Sequence, residues 1–212
     1  MKWDDFLKLV GNLPVIETEH LFVGKLSPEA IEVQISRWEK TGKLVQLKRG
    51  IYLLSKSYRK IELYEPYVAS ILKRPSYLSL EKALEYHGMI PEAVPVYTSV
   101  TTKRPAKFIT ELGTFDYRHI RESLFWGYNS VSVNKQTAFI ASPEKALLDL
   151  LYLKKARISL DYLEELRLQN LKKINFNKLS EYAKRFRKQG ILDGVEMIKR
   201  YIKSSKKGER AL

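Results

Sequence analysis

Gln34, Ser36, Arg37 and Lys40 fall on or beside one arc of a short helical pattern, and their side chains are of the kinds that grip or read nucleic acid. Arginine and lysine neutralise phosphates or bridge guanine acceptors, serine bonds to either, and glutamine at the edge of the arc matches an adenine edge. Three further cations follow directly. Lys48-Arg49-Gly50 has the composition of a basic tight turn, and with Lys43 it is placed to touch backbone phosphates. A second basic set, Lys184, Arg185, Arg187, Lys188, Lys199, Arg200 and Lys203, lies on the last two helical patterns. For each of these charges the alternative is a solvated face.

Other chemistry finds no comparable grouping. There is no cysteine, which excludes disulfides, thiolate metal sites and cysteine nucleophiles. A Walker loop and a His-Glu-x-x-His zinc motif are both missing. His20, His87 and His119 are scattered and read as core or surface residues, and Glu164-Glu165 reads as a solvated helix face. Glu111 and Asp116 offer acids for a metal nuclease, but no lysine stands at a telling offset. The expectation is a non-enzymatic protein without metal or cofactor.

The elements that must position the first basic set are well marked. Ser27 can cap a helix, Pro28 suits its first turn and Gly42 supplies a left-handed stop. Between them Ile31, Ile35 and Trp38 form an apolar stripe. Val45 and Leu47, then Ile51 and Leu53, alternate on either side of the basic turn as a hairpin. Trp38 and Tyr52 have the spacing of core anchors. Upstream, residues 3 to 10 form an amphipathic helix with acids early, and Glu17 to Lys25 leave room for a second helix or turn. Three helices and a hairpin by about residue 54 are the plan of a winged helix-turn-helix.

Composition agrees with a folded, basic protein. The 212 residues are 44% hydrophobic, with a net charge of +14. The charge is uneven: residues 1–60 carry net +4, residues 61–150 net 0 and residues 151–212 net +10. A phosphate-bearing partner is the first expectation, because neutralised phosphates release counterions. Acids near the N-terminus and the lack of a long apolar run point to a cytoplasmic protein with no membrane segment.

Beyond Ser55–Lys60, read as a linker, the pattern predicts a helix bearing Leu63, Tyr67, Val68 and Ile71, then a capped helix over residues 76–87. Alternation predicts strands around 96–100, 108–112, 115–117, 130–133 and 137–141, forming a small antiparallel sheet. Ser142-Pro143-Glu144 opens a buried helix, and helical patterns follow at about 159–168, 175–188 and 190–203, ahead of a polar tail from Ser204. The fold class is therefore α+β, with a winged helix in residues 1–56 and a mixed domain with C-terminal helices in residues 57–212.

Four stretches taken in order resemble the AbiEi-type antitoxins of type IV toxin-antitoxin systems. They are Arg37-Trp38 with Gly42 and Leu44; Leu47-Lys48-Arg49-Gly50-Ile51-Tyr52; Ser76 to Leu84 running on to His87-Gly88-Met89-Ile90-Pro91; and Ala141-Ser142-Pro143-Glu144-Lys145-Ala146-Leu147-Leu148-Asp149. The resemblance implies a winged helix that represses its own operon by binding operator DNA. It also implies a C-terminal domain that counteracts a nucleotidyltransferase-like toxin without a stable complex. Binding as a dimer or as cooperative monomers would set the operator's dimensions. The alternative is an RNA-binding protein that uses the basic C-terminal helices.

Overall fold

The computed structural model of the chain describes residues 1–21, 28–154 and 159–208. Its N-terminal elements are α1 (Trp3–Val10), β1 (Ile16–Glu17), α2 (Thr18–Leu21), α3 (Pro28–Lys40), β2 (Leu44–Lys48) and β3 (Ile51–Leu54). Then come α4 (Glu65–Leu72), β4 (Ser76–Leu78), α5 (Leu80–Tyr86), β5 (Val96–Thr101), β6 (Ala106–Thr110), β7 (Gly113–His119), β8 (Tyr128–Val133) and β9 (Gln136–Ala141). The chain closes with α6 (Pro143–Leu153), α7 (Leu160–Glu165), α8 (Phe176–Arg185) and α9 (Gln189–Gly208). The architecture is α+β, with a small antiparallel sheet and a larger mixed one.

In α3 the apolar stripe is buried as its spacing requires, with Ile31, Ile35 and Trp38 all in the core. The helix stops at Gly42, whose φ of 69° is left-handed, and the Lys43 N–H donates to the Trp38 carbonyl at 2.8 Å. The cap expected from Ser27 lies outside the described residues, as do residues 22–25 of the expected second helix. The described part of that second helix is α2.

The first sheet is antiparallel, in the order β1-β3-β2, with Arg49 and Gly50 turning between β2 and β3. A bulge between Gln46 and Lys48 bends β2 just before the turn. All four residues of β3 are buried, and they alternate between two cores. Tyr52 and Leu54 join Phe6, Val10, Ile31, Ile35 and Trp38, beneath α1 and α3. Ile51 and Leu53 face the other way, into a cluster with Leu47, Val68, Leu72, Phe115 and Tyr117.

Polar links reinforce this seam. The Arg74 guanidinium donates to both oxygens of Glu17, at 2.7 and 3.0 Å, and the Tyr117 hydroxyl donates to the Ala69 carbonyl at 2.6 Å.

The second sheet differs from the antiparallel one expected. It has six strands in the order β6-β7-β5-β4-β9-β8, with β5 parallel to β7 and β4 parallel to β9. The expected strands are present, and Asn134 and Lys135, both at positive φ, turn β8 into β9. What patterning missed is β4.

The predicted helix over residues 76–87 is in fact strand β4, a break and the shorter helix α5. Leu80, at φ 55°, makes the break, a left-handed geometry uncommon for a side chain with a β-carbon. Ser79 stands at the N-cap position of α5, but its hydroxyl donates to Asp149 instead of capping the helix. A short apolar run such as Tyr77-Leu78 fits either period, and its burial in the sheet decides the matter. At the other end, α9 runs through Gly208, beyond the tail expected from Ser204; residues 209–212 lie outside the described residues.

Because β3 closes two cores, the N-terminal elements and the larger sheet unfold together. Leu53→Ala lowers stability by roughly 2–5 kcal/mol and leaves a single transition, read by tryptophan fluorescence and far-UV circular dichroism in urea. Two transitions at different urea concentrations would contradict the shared core.

Candidate nucleic-acid interface

Burial of Ile31, Ile35 and Trp38 turns the opposite arc of α3 to solvent. Ser36, Arg37 and Lys40 are exposed there, and Gln34 is half-buried at the margin. Among the described residues none of these four side chains has an ion-pair partner or side-chain hydrogen bond. Beside the helix, Arg49 is exposed at the hairpin turn. The turn is fixed in place by the Thr18 N–H, which donates to the Gly50 carbonyl at 2.9 Å.

Ser36 and Arg49 share a groove of about 710 Å³ between α3 and the hairpin, and Gln46 and Tyr52 line it as well. Gln46 was missed by sequence reasoning. Its signal was a polar residue on an alternating strand, and its amide now donates to the Tyr52 hydroxyl at 2.9 Å. Glu19, Glu32 and Glu39 also line the groove, so α3 has a basic ridge at Arg37 and Lys40 and an acidic edge toward the hairpin.

The other two cations of the set are partly engaged within the protein. The Lys48 ammonium donates to the Leu72 carbonyl at 3.0 Å and lies 5.7 Å from the Phe108 ring centre. Lys43 is half-buried with its ammonium 5.0 Å from the Trp3 ring centre.

The C-terminal basic set is dispersed over two helices. Lys184, Arg185, Arg187 and Lys188 are exposed at and after the end of α8. Arg200 and Lys203 are exposed further along α9, and Lys199 pairs with Glu196 at 2.7 Å. Arg185, Arg187 and Lys188 converge on one cleft with Arg121, which lies far away in sequence and carried no local signal.

A chain of polar contacts holds α8 in place. The Ser142 hydroxyl caps α6, accepting from the Lys145 N–H at 3.3 Å, and donates to Glu144 at 2.9 Å. The other oxygen of Glu144 accepts from the Asn175 N–H at 2.9 Å, and Lys178 sits 3.0 Å from the carboxylate. Asn175 in turn caps α8. Burial alone pushes the Glu144 carboxyl up, but the bonds from Asn175, Lys178 and Ser142 outweigh it and hold the group below its ordinary value.

One turn along α6, Lys145 pairs with Asp149, and both are fully buried. Tyr77 and Ser79 donate to the second oxygen of Asp149 at 2.9 and 2.7 Å. The rings of Tyr77, Trp126 and Phe186 surround the ammonium, with centres 5.0 to 5.5 Å away. Burial pushes Asp149 up and Lys145 down, while their mutual attraction opposes both shifts. Gly127 makes this packing possible, since a β-carbon there would stand 3.0 Å from the Lys145 stem. The pair is closed to solvent and organises the core.

The remaining sequence candidates do not gather. Asp116 pairs with Arg118 at 2.8 Å, Glu111 stands in the turn before β7, and no cluster of acids or histidines able to hold a metal ion occurs among the described residues. Nε2 of His87 lies 2.8 Å from the Ala141 carbonyl, Nδ1 of His119 lies 3.2 Å from the Lys103 carbonyl, and His20 is exposed beside Glu17. Compared with protein-family models and with curated proteins, the chain matches none of either.

Two outcomes follow for stability. Lys145→Met strands a buried carboxylate and costs about 3–5 kcal/mol in urea denaturation, whereas Lys188→Met, on the surface, stays within about 0.5 kcal/mol. Glu144, held below its ordinary value, adds stability that is complete at neutral pH and lost as pH falls through the acidic range. Thermal melts from about pH 7 to about pH 3 therefore show a steeper loss for the wild type than for Glu144→Gln.

Proposed function

We propose that residues 1–56 form a winged helix that binds DNA sequence-specifically, and that the chain represses its own operon as a non-enzymatic, cytoplasmic antitoxin. The observation that carries the DNA reading is the exposure of Ser36, Arg37 and Lys40 on α3, next to a fixed hairpin turn that brings Arg49 to the same groove as Ser36. A helix of 13 residues with one solvated face fits the major groove, and a basic turn beside it fits the flanking phosphates. The acidic edge of α3 has a use in this reading. Glu32 can accept from a cytosine amino group, and it disfavours phosphate at the same place.

The antitoxin part rests on the resemblance to the AbiEi-type family. Two of its four stretches coincide with structurally demanding positions: the hairpin turn at Arg49-Gly50, and the α6 segment that places Glu144, Lys145 and Asp149. The partner it implies is a nucleotidyltransferase-like toxin, opposed without a stable complex. A second reading, RNA binding by the C-terminal helices, draws on the exposed cations at the end of α8.

Fluorescence anisotropy with DNA from upstream of the gene, and with a scrambled duplex, separates the roles. Arg37→Ala weakens the upstream sequence by about 1–3 kcal/mol and leaves the scrambled duplex little changed. Arg49→Ala weakens both and lowers the salt slope by about one. Unchanged upstream binding in both variants would exclude α3 and the hairpin as the DNA-binding surface.

A further inference from the structure

DNA binding by α3 leaves unused a second charged site, at the junction of α8 and α9. α8 ends at Arg185, and the chain turns through Phe186, Arg187 and Lys188 before α9. Phe186 is buried and anchors the turn. Arg187 takes a left-handed backbone, φ 50°, with its N–H donating to the Lys184 carbonyl at 3.2 Å. Such geometry is uncommon for a residue with a β-carbon and persists only where the surroundings enforce it.

The turn borders a cleft of about 550 Å³, within the range of small-molecule sites. Its wall carries four cations, Arg121, Arg185, Arg187 and Lys188, and no carboxylate. None of the four has an ion-pair partner among the described residues, although Glu122 and Glu181 are exposed close by in sequence.

Two of the cations are already oriented. The Arg185 guanidinium lies 3.7 Å from the Trp126 ring centre, and the Lys188 ammonium 4.5 Å from that of Tyr152. Trp126 is itself fixed by its indole N–H, which donates to the Ser123 carbonyl at 3.1 Å.

Unneutralised cations gathered in one concavity repel one another, and a multiply charged anion relieves that repulsion. Arginine forks match pairs of phosphate oxygens. Apart from Ser123, the rest of the wall is Leu124, Tyr152 and Phe186, whose largely apolar surface suits an organic moiety attached to the phosphates. We propose that this cleft binds the phosphates of a nucleotide, supplied either as a free nucleoside triphosphate or as the 5′-phosphorylated end of a single RNA strand. The site does not depend on the DNA reading, and changes in α3 leave it intact.

The test uses the full chain at about 150 mM salt, with ATP by calorimetry and a short RNA bearing either a 5′-triphosphate or a 5′-hydroxyl by anisotropy. Saturable binding of ATP assigns a free nucleotide, and binding of the 5′-triphosphate RNA alone assigns a strand end. In either case Arg187→Gly, which suits the left-handed backbone, and Lys188→Gln each weaken binding by about tenfold. Arg200→Gln, further along α9, changes it by less than about twofold. Three results would each overturn the assignment: no saturable binding of either probe, equal weakening by Arg200→Gln, or inorganic pyrophosphate binding as tightly as ATP.

Discussion

The constraint on which the rest depends is the burial of β3 on both faces. A strand exposes alternate residues to opposite sides, so Ile51 and Leu53 close one core while Tyr52 and Leu54 close another. A shift of one residue would exchange the two sets, placing the Tyr52 hydroxyl in the apolar seam and removing it from Gln46. Register in the hairpin is thus fixed by both neighbours at once. The position of Arg49 relative to α3 follows from it, because only Gly50 separates Arg49 from β3. The surface proposed to meet DNA is set by packing, and one side of that packing comes from Val68 and Leu72 of α4 with Phe115 and Tyr117 of the larger sheet.

In the larger part of the chain buried polar groups play the corresponding role. The carboxylate of Asp149 gathers Lys145 from its own helix, Tyr77 from β4 and Ser79 from the break before α5. A buried charge lacking any of these partners would be costly, so the group tolerates few alternative arrangements. Glu144 extends this order outward to Asn175 and Lys178, and so to α8 and the basic turn at its end. A contiguous set of contacts therefore connects the interior of the sheet to the most concentrated cations on the surface.

Much of this was legible in the sequence, and the exceptions have physical reasons. The stripe of Ile31, Ile35 and Trp38, the stop at Gly42 and the cap at Ser142 are local signals, and the structure realises them locally. Ser76–Leu78 fits a helical pattern because three residues cannot display a period, and tertiary burial decides for strand. The parallel pairings of β5 with β7 and of β4 with β9 depend on which strands become neighbours, which no local pattern encodes. Lys145 and Asp149, four apart on one helix face, would ordinarily pass for a surface pair; only their setting among Tyr77, Trp126 and Phe186 shows otherwise. Of the DNA-contact candidates, Arg37, Lys40 and Arg49 stand free on the surface, whereas Lys48 is held by the Leu72 carbonyl, a contact between residues 24 apart in sequence.

Selective engagement of DNA by the α3 face is read out by hydroxyl-radical footprinting with the full chain. On DNA from upstream of its own gene, binding through α3 gives discrete protected segments, facing one side of the duplex and persisting against excess scrambled competitor. Uniform, weak protection that fades equally on every sequence as salt rises would contradict it, leaving only the non-specific attraction of a basic protein for phosphates.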